Sequence, residues 1–333
     1  MERFFKVEKS IDLYFDKNYG KLYEKIENGK AKIFEFENEN GKITNQFIMR
    51  EIEEKIDGET FYDIVTPYGY GGPIINYLKG NKENLLKEFE KSFSEYAKKN
   101  KVVSEFVRFH PIFENAIDMK SIYNSTYMRK TLITKLDEED VIQKQISKSA
   151  RKNIRQALNK GVTYKITEKP ENISVFKDIY YSTMDRNNAI DYYYFDDKYF
   201  DDMLKYYREN IILIEAIFEG KTIAAGLYFI YKDIIHIHLS GTLTEYLYLS
   251  PAYILRYALI LWGIENKYKI IHHGGGRSNS EEDSLYLFKK NFAKLYDVDF
   301  YIGKKIWNKE IYDKLCKMKN IEDDGFFPAY RKH

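Results

Sequence analysis

Alternation of apolar and polar positions opens the first half of the chain and predicts a β-hairpin. Residues 31–37 and 43–49 alternate on either side of an Asn40-Gly41 turn. A short apolar run at 61–65 predicts a strand that leads directly into a glycine-rich segment, 66–73. The apolar spacing beyond it predicts a helix at 82–99 and strands at 102–109 and 127–136.

The second half repeats this order of elements without repeating the residues. Strands predicted at 211–218 and 222–231 flank a Glu-Gly-Lys turn, and Ser250-Pro251 predicts an N-cap with proline at the first helical position. The other predicted elements are strands at 234–241, 270–272 and 298–302 and helices at 251–267, 175–184 and 284–295. The order hairpin, strand, helix, strand therefore occurs in both halves of the chain. This order predicts an α/β fold of mixed sheets covered by helices.

A chain of 333 residues is long enough for two domains. The predicted seam lies between Asp137 and Ser149, where an acidic run gives way to basic residues, although acids there also favour a helix N-terminus. We therefore expect a first domain at 1–140 and a second at 141–317.

Composition narrows the possible partners and compartments. The 53 basic residues nearly balance the 51 acidic ones, so an anionic partner needs a local patch. The single cysteine, Cys316, excludes a disulfide within the chain. The longest apolar candidate, Ile254 to Ile264, contains Arg256 and is too short to span a membrane. Together with an N-terminus that does not resemble a signal peptide, this predicts a cytoplasmic protein.

A short basic helix is predicted between Ser147, as its cap, and Gly161. Its cations recur at helical spacing on one face: Lys148, Arg151, Lys152 and Arg155. The opposite face carries Ala150, Ile154, Ala157 and Leu158, which can pack. No acid is interleaved in the basic stripe, so an anion such as phosphate would relieve its self-repulsion. The stripe is predicted to bind substrate phosphate; a solvated face is the alternative.

Two glycine-rich segments are further candidates for substrate binding. The loop Thr66–Pro73 contains three glycines and offers the hydroxyls of Tyr68 and Tyr70 to a cleft, or is a structural turn. After the strand at 270–272, the backbone of Gly274 and Gly275 can present N–H groups to an oxyanion or phosphate, with Arg277 adding charge.

Lys289 lies within a predicted helix between Phe288 and Phe292. A partly buried lysine there would stabilise the negative charge that develops during acyl transfer, and a surface lysine is the alternative. Arg186, which follows the helix at 175–184, is predicted to bind a carboxylate or phosphate; the alternative is a cation that stabilises the C-terminus of that helix. The adjacent His272 and His273 lack further ligands at metal spacing, so no metal site is predicted.

Five motifs occur in an order that resembles the Fem family of the acetyltransferase superfamily (FemAB- and FemX-like enzymes). They are Thr66–Pro73, Ser149–Ala157, His273–Arg277, Asp283–Lys290 and Phe326–Arg331. The resemblance spans nearly the whole chain. It implies two tandem acetyltransferase-like (GNAT) domains without a coiled-coil arm, with the tail 318–333 returning to the first domain.

The resemblance also implies an activity. Fem enzymes transfer an aminoacyl group from aminoacyl-tRNA to an amine of a peptidoglycan precursor, and Lys289 corresponds to the family's lysine that helps the transfer. The basic helix would then meet phosphates of the donor or of the nucleotide-linked acceptor. The expected partners are an envelope precursor and charged tRNA, with no tightly bound cofactor.

Two other functions stay open at this stage. Members of the same branch are N-acetyltransferases, so an acyl-CoA donor with an amino sugar or small amine as acceptor is the alternative. The chain lacks the Gln/Arg-x-x-Gly-x-Gly/Ala pyrophosphate loop of acetyl-CoA enzymes, which argues against that donor. A non-catalytic binding protein is the third possibility. The acyl group, the acceptor amine and the oligomeric state are not fixed by the sequence.

Overall fold

The computed structural model describes residues 12–321 and 325–332. Its earlier elements are α1 (Tyr19–Leu22), β1 (Gly29–Asn38), β2 (Gly41–Glu51), β3 (Tyr62–Val65), β4 (Ile74–Leu78), α2 (Lys82–Lys99), β5 (Val102–Arg108), α3 (Asn115–Asp118), β6 (Asn124–Lys135), α4 (Val141–Gln145) and α5 (Lys148–Asn159). The later ones are β7 (Thr163–Glu168), α6 (Ser174–Arg186), α7 (Asp197–Tyr207), β8 (Ile211–Phe218), β9 (Lys221–Tyr231), β10 (Ile234–Thr242), α8 (Pro251–Glu265), β11 (Ile270–Gly274), α9 (Ser284–Lys290), β12 (Tyr296–Ile306) and α10 (Lys309–Met318).

The chain divides into two compact units. Among the described residues, the first contains 12–129, 299–321 and 325–332, and the second contains 130–298. The sequence placed the boundaries at 140 and 317 instead. The acidic run at 137–140 belongs to the second unit, because Leu136 and Val141 on either side of it pack into the core of that unit.

The first unit orders its strands β1-β2-β3-β5-β12, and β4 pairs with β2. All these pairs are antiparallel except β3 with β5. The apolar stripe of α2 packs on the sheet through Leu85, Leu86, Phe89, Phe93 and Ala97. A second cluster joins α10 and Tyr330 to Val103 of β5, so the described end of the chain packs in this unit.

The second unit orders its strands β6-β11-β10-β9-β8-β7. The pair β10 and β11 is parallel, and its register ends at His236 opposite His272, although both strands continue beyond that point. Helix α8 is apolar on nearly every side and is enclosed in the core, where the indole of Trp262 donates to Glu168 at 2.9 Å. No helix among residues 12–321 and 325–332 is long and apolar enough to cross a membrane.

Two predicted helix ends differ from the structure. Helix α9 ends at Lys290 rather than at 295, because the Asn291 carbonyl accepts the Ser147 N–H at 2.8 Å and the chain turns away. Pro251 begins α8 as predicted. Ser250 occupies the predicted N-cap position, but its backbone is left-handed (φ 54°) and its side chain makes no capping hydrogen bond.

A buried carboxyl, that of Glu105 on β5, accepts three hydrogen bonds in the first unit. The donors are Asn45 Nδ2 at 2.8 Å, the Tyr123 hydroxyl at 2.9 Å and Trp307 Nε1 at 3.0 Å. Burial raises the pKa of Glu105 to about 7, although these donors and nearby Lys305 act in the opposite direction. The carboxyl therefore titrates near neutral pH.

Because the pKa of Glu105 is higher in the folded chain than its ordinary value of 4.5, its ionisation favours unfolding. Stability should fall as the pH rises from about 4.5 to about 7 and change no further above that. We expect Glu105→Gln to remove this loss, measured as urea unfolding free energies at about pH 5 and about pH 7.5. The exposed Glu83→Gln should keep the wild-type difference. An unchanged pH dependence in Glu105→Gln would contradict the assignment.

Candidate functional site

The basic helix α5 forms a wall of a cavity of about 470 Å³ in the second unit. Its described lining consists of Ile142, Gln143, Lys148, Arg151, Ile154, Arg155, Leu158, Asn159 and Tyr257. The fourth cation of the predicted stripe, Lys152, is exposed and lies outside this described lining. Leu158, on the face that the sequence indicates can pack, is 38% exposed and lines the cavity. Three cations and no carboxylate in the described lining favour an anionic ligand.

The start of α5 is fixed to the residue that follows α9. The Ser147 hydroxyl caps α5 by accepting the Ala150 N–H at 3.0 Å, and it donates to Asn291 Oδ1 at 2.6 Å. The guanidinium of Arg151 donates to the carbonyls of Gln143, at 2.9 Å, and Ile146. These contacts bring the basic cavity next to the helix that carries Lys289.

The glycine-rich segment after β11 is organised by one carboxylate. Asp283 Oδ2 accepts the N–H groups of Arg277 at 2.9 Å and Ser278 at 2.8 Å, and Oδ1 accepts those of Leu285 and Tyr286, both at 3.0 Å. Partial burial opposes ionisation, but these donors outweigh it and lower the pKa of Asp283 to about 2. One side chain therefore shapes the loop and caps α9 at the same time.

A close approach at Gly276 depends on the absence of a side chain there. A Cβ at this position would lie 2.7 Å from the Asp283 carboxyl carbon. Gly274 ends β11 with a φ of 71°, a left-handed conformation that favours glycine. The Arg277 side chain is exposed beyond these two glycines.

Lys289 lies in the last turn of α9, where its ammonium donates to the Gly275 carbonyl at 2.6 Å. The side chain is half-buried, whereas the adjacent Lys290 is exposed. Phe288, which precedes it, packs edge-on against Tyr253 of α8 with ring centroids 5.2 Å apart. The structure thus holds the Lys289 cation at the end of β11, beside the glycine backbone that the sequence singled out.

The two histidines of β11 each contact a threonine of β6. His272 Nε2 lies 3.1 Å from Thr131 Oγ1, and His273 Nε2 lies 2.8 Å from Thr134 Oγ1. The Thr134 hydroxyl donates its proton to the Phe292 carbonyl at 2.6 Å. It must therefore accept from His273, which places the His273 proton on Nε2 and a lone pair on Nδ1. Burial, with the charges of Arg256 and Lys289, holds the pKa of His273 well below its usual value.

Arg186 is fixed at the end of β10. It donates to the Thr242 carbonyl at 2.5 Å and to the Thr244 hydroxyl at 3.1 Å, and it remains half-buried. A guanidinium has five N–H donors, so the groups that do not bond to Thr242 and Thr244 can still bind a ligand. Its predicted role in binding a carboxylate or phosphate stays a prediction.

The loop Thr66–Pro73 in the first unit is held by protein contacts. Asn115 Nδ2 donates to the carbonyls of Gly71 and Pro73, at 2.8 and 2.9 Å. The Tyr70 ring packs against Tyr14, with centroids 5.6 Å apart. The Tyr68 carbonyl accepts from the Tyr19 hydroxyl at 2.9 Å. These contacts explain the loop as a structural turn, and substrate binding by Tyr68 and Tyr70 stays a prediction.

Sequence reasoning missed three residues around His273. Arg256 on α8 and Tyr228 on β9 are buried beside each other, with the Arg256 Cζ 5.9 Å from the Tyr228 ring centroid. Thr134, which sets the tautomer of His273, was also not selected. Arg256 had a visible signal, because it interrupts an otherwise apolar run with a charge. Tyr228 and Thr134 had none.

Comparison with known proteins relates the chain to the Fem enzymes. Residues 115–219 match the FemAB family. A UDP-N-acetylmuramoylpentapeptide-lysine N(6)-alanyltransferase of Weissella viridescens is 32% identical over 101 residues, which cover 30% of this chain and 30% of that relative. The predicted resemblance to the Fem family is thereby confirmed over this part of the chain.

Solved structures extend the likeness of fold to both units. The crystal structure of FemX matches 91% of this chain and 94% of its own, with a TM-score of 0.67 at 13% identity. The C-terminal domain of a putative lysylphosphatidylglycerol synthetase from Agrobacterium fabrum matches 88% of each chain, with a TM-score of 0.54 at 12% identity. The predicted fold, a tandem pair of acetyltransferase-like α/β domains, is confirmed by the first of these matches.

Removal of the Asp283 carboxylate should release the glycine-rich segment. Asp283→Ala leaves the amides of Arg277, Ser278, Leu285 and Tyr286 without their acceptor. We expect hydrogen exchange at these amides to accelerate by about tenfold or more, since each lost bond opens its amide locally. Exchange measured by mass spectrometry on peptides spanning 276–287 tests this. Glu282→Ala, an exposed neighbour, is the control and should exchange like wild type.

Proposed function

We propose that this chain is an N-acyltransferase of the Fem type, which transfers an aminoacyl group from charged tRNA to an amine of a peptidoglycan precursor. The carrying observation is the Lys289 ammonium, held 2.6 Å from the Gly275 carbonyl and joined through Asn291 and Ser147 to a cavity lined by three cations. The FemAB match and the alanyltransferase relative support the same class of reaction.

The basic cavity suits the phosphates of a large donor. Arg155 is exposed and Arg151 is half-buried, so both guanidinium groups can reach a ligand that stays outside the protein. Arginine binds phosphate through paired N–H groups, which gives orientation as well as charge. In the proposed complex this cavity holds the donor backbone, and the activated acyl group extends towards the end of β11.

Chemistry takes place where the acyl carbonyl meets Lys289. The amine nitrogen of the acceptor attacks the acyl carbon, so that a C–N bond forms and the ester C–O bond to the donor ribose breaks. The amine proton passes to the leaving ribose oxygen. Lys289 stabilises the negative charge on the carbonyl oxygen during this exchange, and proximity of the two bound substrates supplies much of the rate.

Loss of the Lys289 ammonium should slow the transfer step while donor binding persists. We expect Lys289→Met to lower the single-turnover rate by about 10²- to 10³-fold, the usual cost of removing one group that stabilises an oxyanion. The assay follows radiolabelled aminoacyl groups from charged tRNA to a nucleotide-linked muropeptide. Lys290→Met, an exposed lysine of the same helix, should keep the wild-type rate. An equal loss in both variants, or none in Lys289→Met, would refute the role.

Donor binding separates this proposal from an acyl-CoA enzyme. Charged tRNA should bind with an affinity that falls steeply with salt, and Arg155→Gln should reduce the magnitude of the logarithmic salt slope by about 1. Lys205→Gln, exposed on α7, should leave the slope unchanged. Fluorescence anisotropy at several salt concentrations measures this. Tight binding of acetyl-CoA, with no binding of charged tRNA, would replace the proposed donor by acyl-CoA.

A further inference from the structure

Three buried polar atoms in the second unit have no hydrogen-bond partner among the described residues. They are Arg256 Nη1, the Tyr228 hydroxyl oxygen and His273 Nδ1, on side chains that are at least nine-tenths buried. The Arg256 guanidinium and the Tyr228 hydroxyl attract each other, but among the described residues no carboxylate forms an ion pair with the guanidinium. A buried cation without a carboxylate partner is costly, and an anionic ligand would lower that cost.

The strand registers place the backbones of Tyr228 and His273 on one level of the sheet. Tyr228 pairs with Ile237 of β10, and Ile237 follows His236, whose partner is His272. His273 is therefore level with Ile237 and Tyr228 across three strands. Tyr228 and Ile237 pack in the core with α8, and His273 contacts Thr134, which pairs with the core residue Ile271. Arg256 reaches down from α8 onto this level.

The level coincides with the parting of β10 and β11. Their pairing ends at His236 and His272, one residue before His273. The Tyr228 side chain extends along β9 over Gly226, where a Cβ would lie 2.4 Å from its hydroxyl oxygen. Gly226 pairs with Ser240, which is past the end of the β10–β11 ladder. The hydroxyl thus lies over β9, at a level beyond the end of the β10–β11 ladder.

We propose that Arg256, Tyr228 and His273 form a binding site for a carboxylate that has an N–H group close by, as in an N-acylated amino acid. The carboxylate accepts from Arg256 Nη1 and the Tyr228 hydroxyl, and the ligand N–H donates to His273 Nδ1. One negative charge balances one buried cation, whereas a phosphate dianion would leave an excess charge. A free amino acid fits poorly, because its ammonium would lie among the charges of Arg256 and Lys289.

Binding of small probes to the purified full-length chain tests the site without turnover, so the result is independent of acyl transfer. N-acetylglycine is the fitting probe. Levulinate has the same shape and carboxylate but a CH₂ in place of the N–H, and N-acetylglycinamide keeps the N–H but lacks the charge. By isothermal titration we expect N-acetylglycine to bind at least about tenfold more tightly than either, since each analogue leaves a buried group unpaired.

Variants of the site distinguish a ligand-binding guanidinium from a structural one. Arg256→Met has similar volume without the charge, so we expect unchanged or raised thermal stability together with at least about tenfold weaker N-acetylglycine binding. Tyr228→Phe should also weaken the binding of N-acetylglycine, and this variant tests the site if Arg256→Met does not fold. Arg208→Gln, at an exposed ion pair, should bind like wild type.

Several results would overturn the inference. Equal binding of N-acetylglycine by wild type and Arg256→Met would exclude the guanidinium from the site. Wild-type protein that binds none of the probes, with a lowered melting temperature in Arg256→Met, would make Arg256 structural. If levulinate binds as tightly as N-acetylglycine, His273 does not recognise the ligand N–H. If inorganic phosphate binds more tightly than N-acetylglycine, the ligand is a phosphate rather than a carboxylate.

Discussion

Burial of helix α8 is the constraint on which the second unit depends. Its side chains are apolar on nearly every side, so it is stable only where the sheet covers one face and α5 covers another. Each apolar side chain removed from water contributes roughly 1.5–3 kcal/mol. The helix therefore fixes β8, β9, β10 and α5 against itself, and through Tyr253 it also supports Phe288 of α9 and Phe292 just beyond that helix. Every cation of the proposed chemistry lies on α8 or on an element positioned by this packing.

Local patterns were sufficient to predict the elements that carry the fold. Helix α2 has the predicted bounds, because five apolar positions share one stripe and Asn81 caps its start. The basic helix begins after Ser147 and ends before Gly161, as its capping residues indicate. Strand β7 was missed, since its positions are mostly exposed and give no clear alternation. Strand β4 was missed because it follows a glycine-rich loop and is short.

The candidate site was predictable only where chemistry and local sequence coincide. Lys289 and the glycines after β11 were selected from type and spacing, and the structure joins them by a hydrogen bond. The residues that hold them act over long separations: Asn291 meets Ser147 across 144 positions, and His273 meets Thr134 across 139. No periodicity records such contacts. A backbone bond between the same two residues, from the Ser147 N–H to the Asn291 carbonyl, shortens α9, which is why the predicted end of that helix was wrong.

The division into two units has a practical optical consequence. The chain has two tryptophans, and each unit holds one: Trp307 beside Glu105 in the first and Trp262 beside Glu168 in the second. Replacing either indole by phenylalanine leaves the emission spectrum to report on a single unit. Coincident or separate melting of the two single-tryptophan proteins then reveals whether the halves unfold as one cooperative block or in succession.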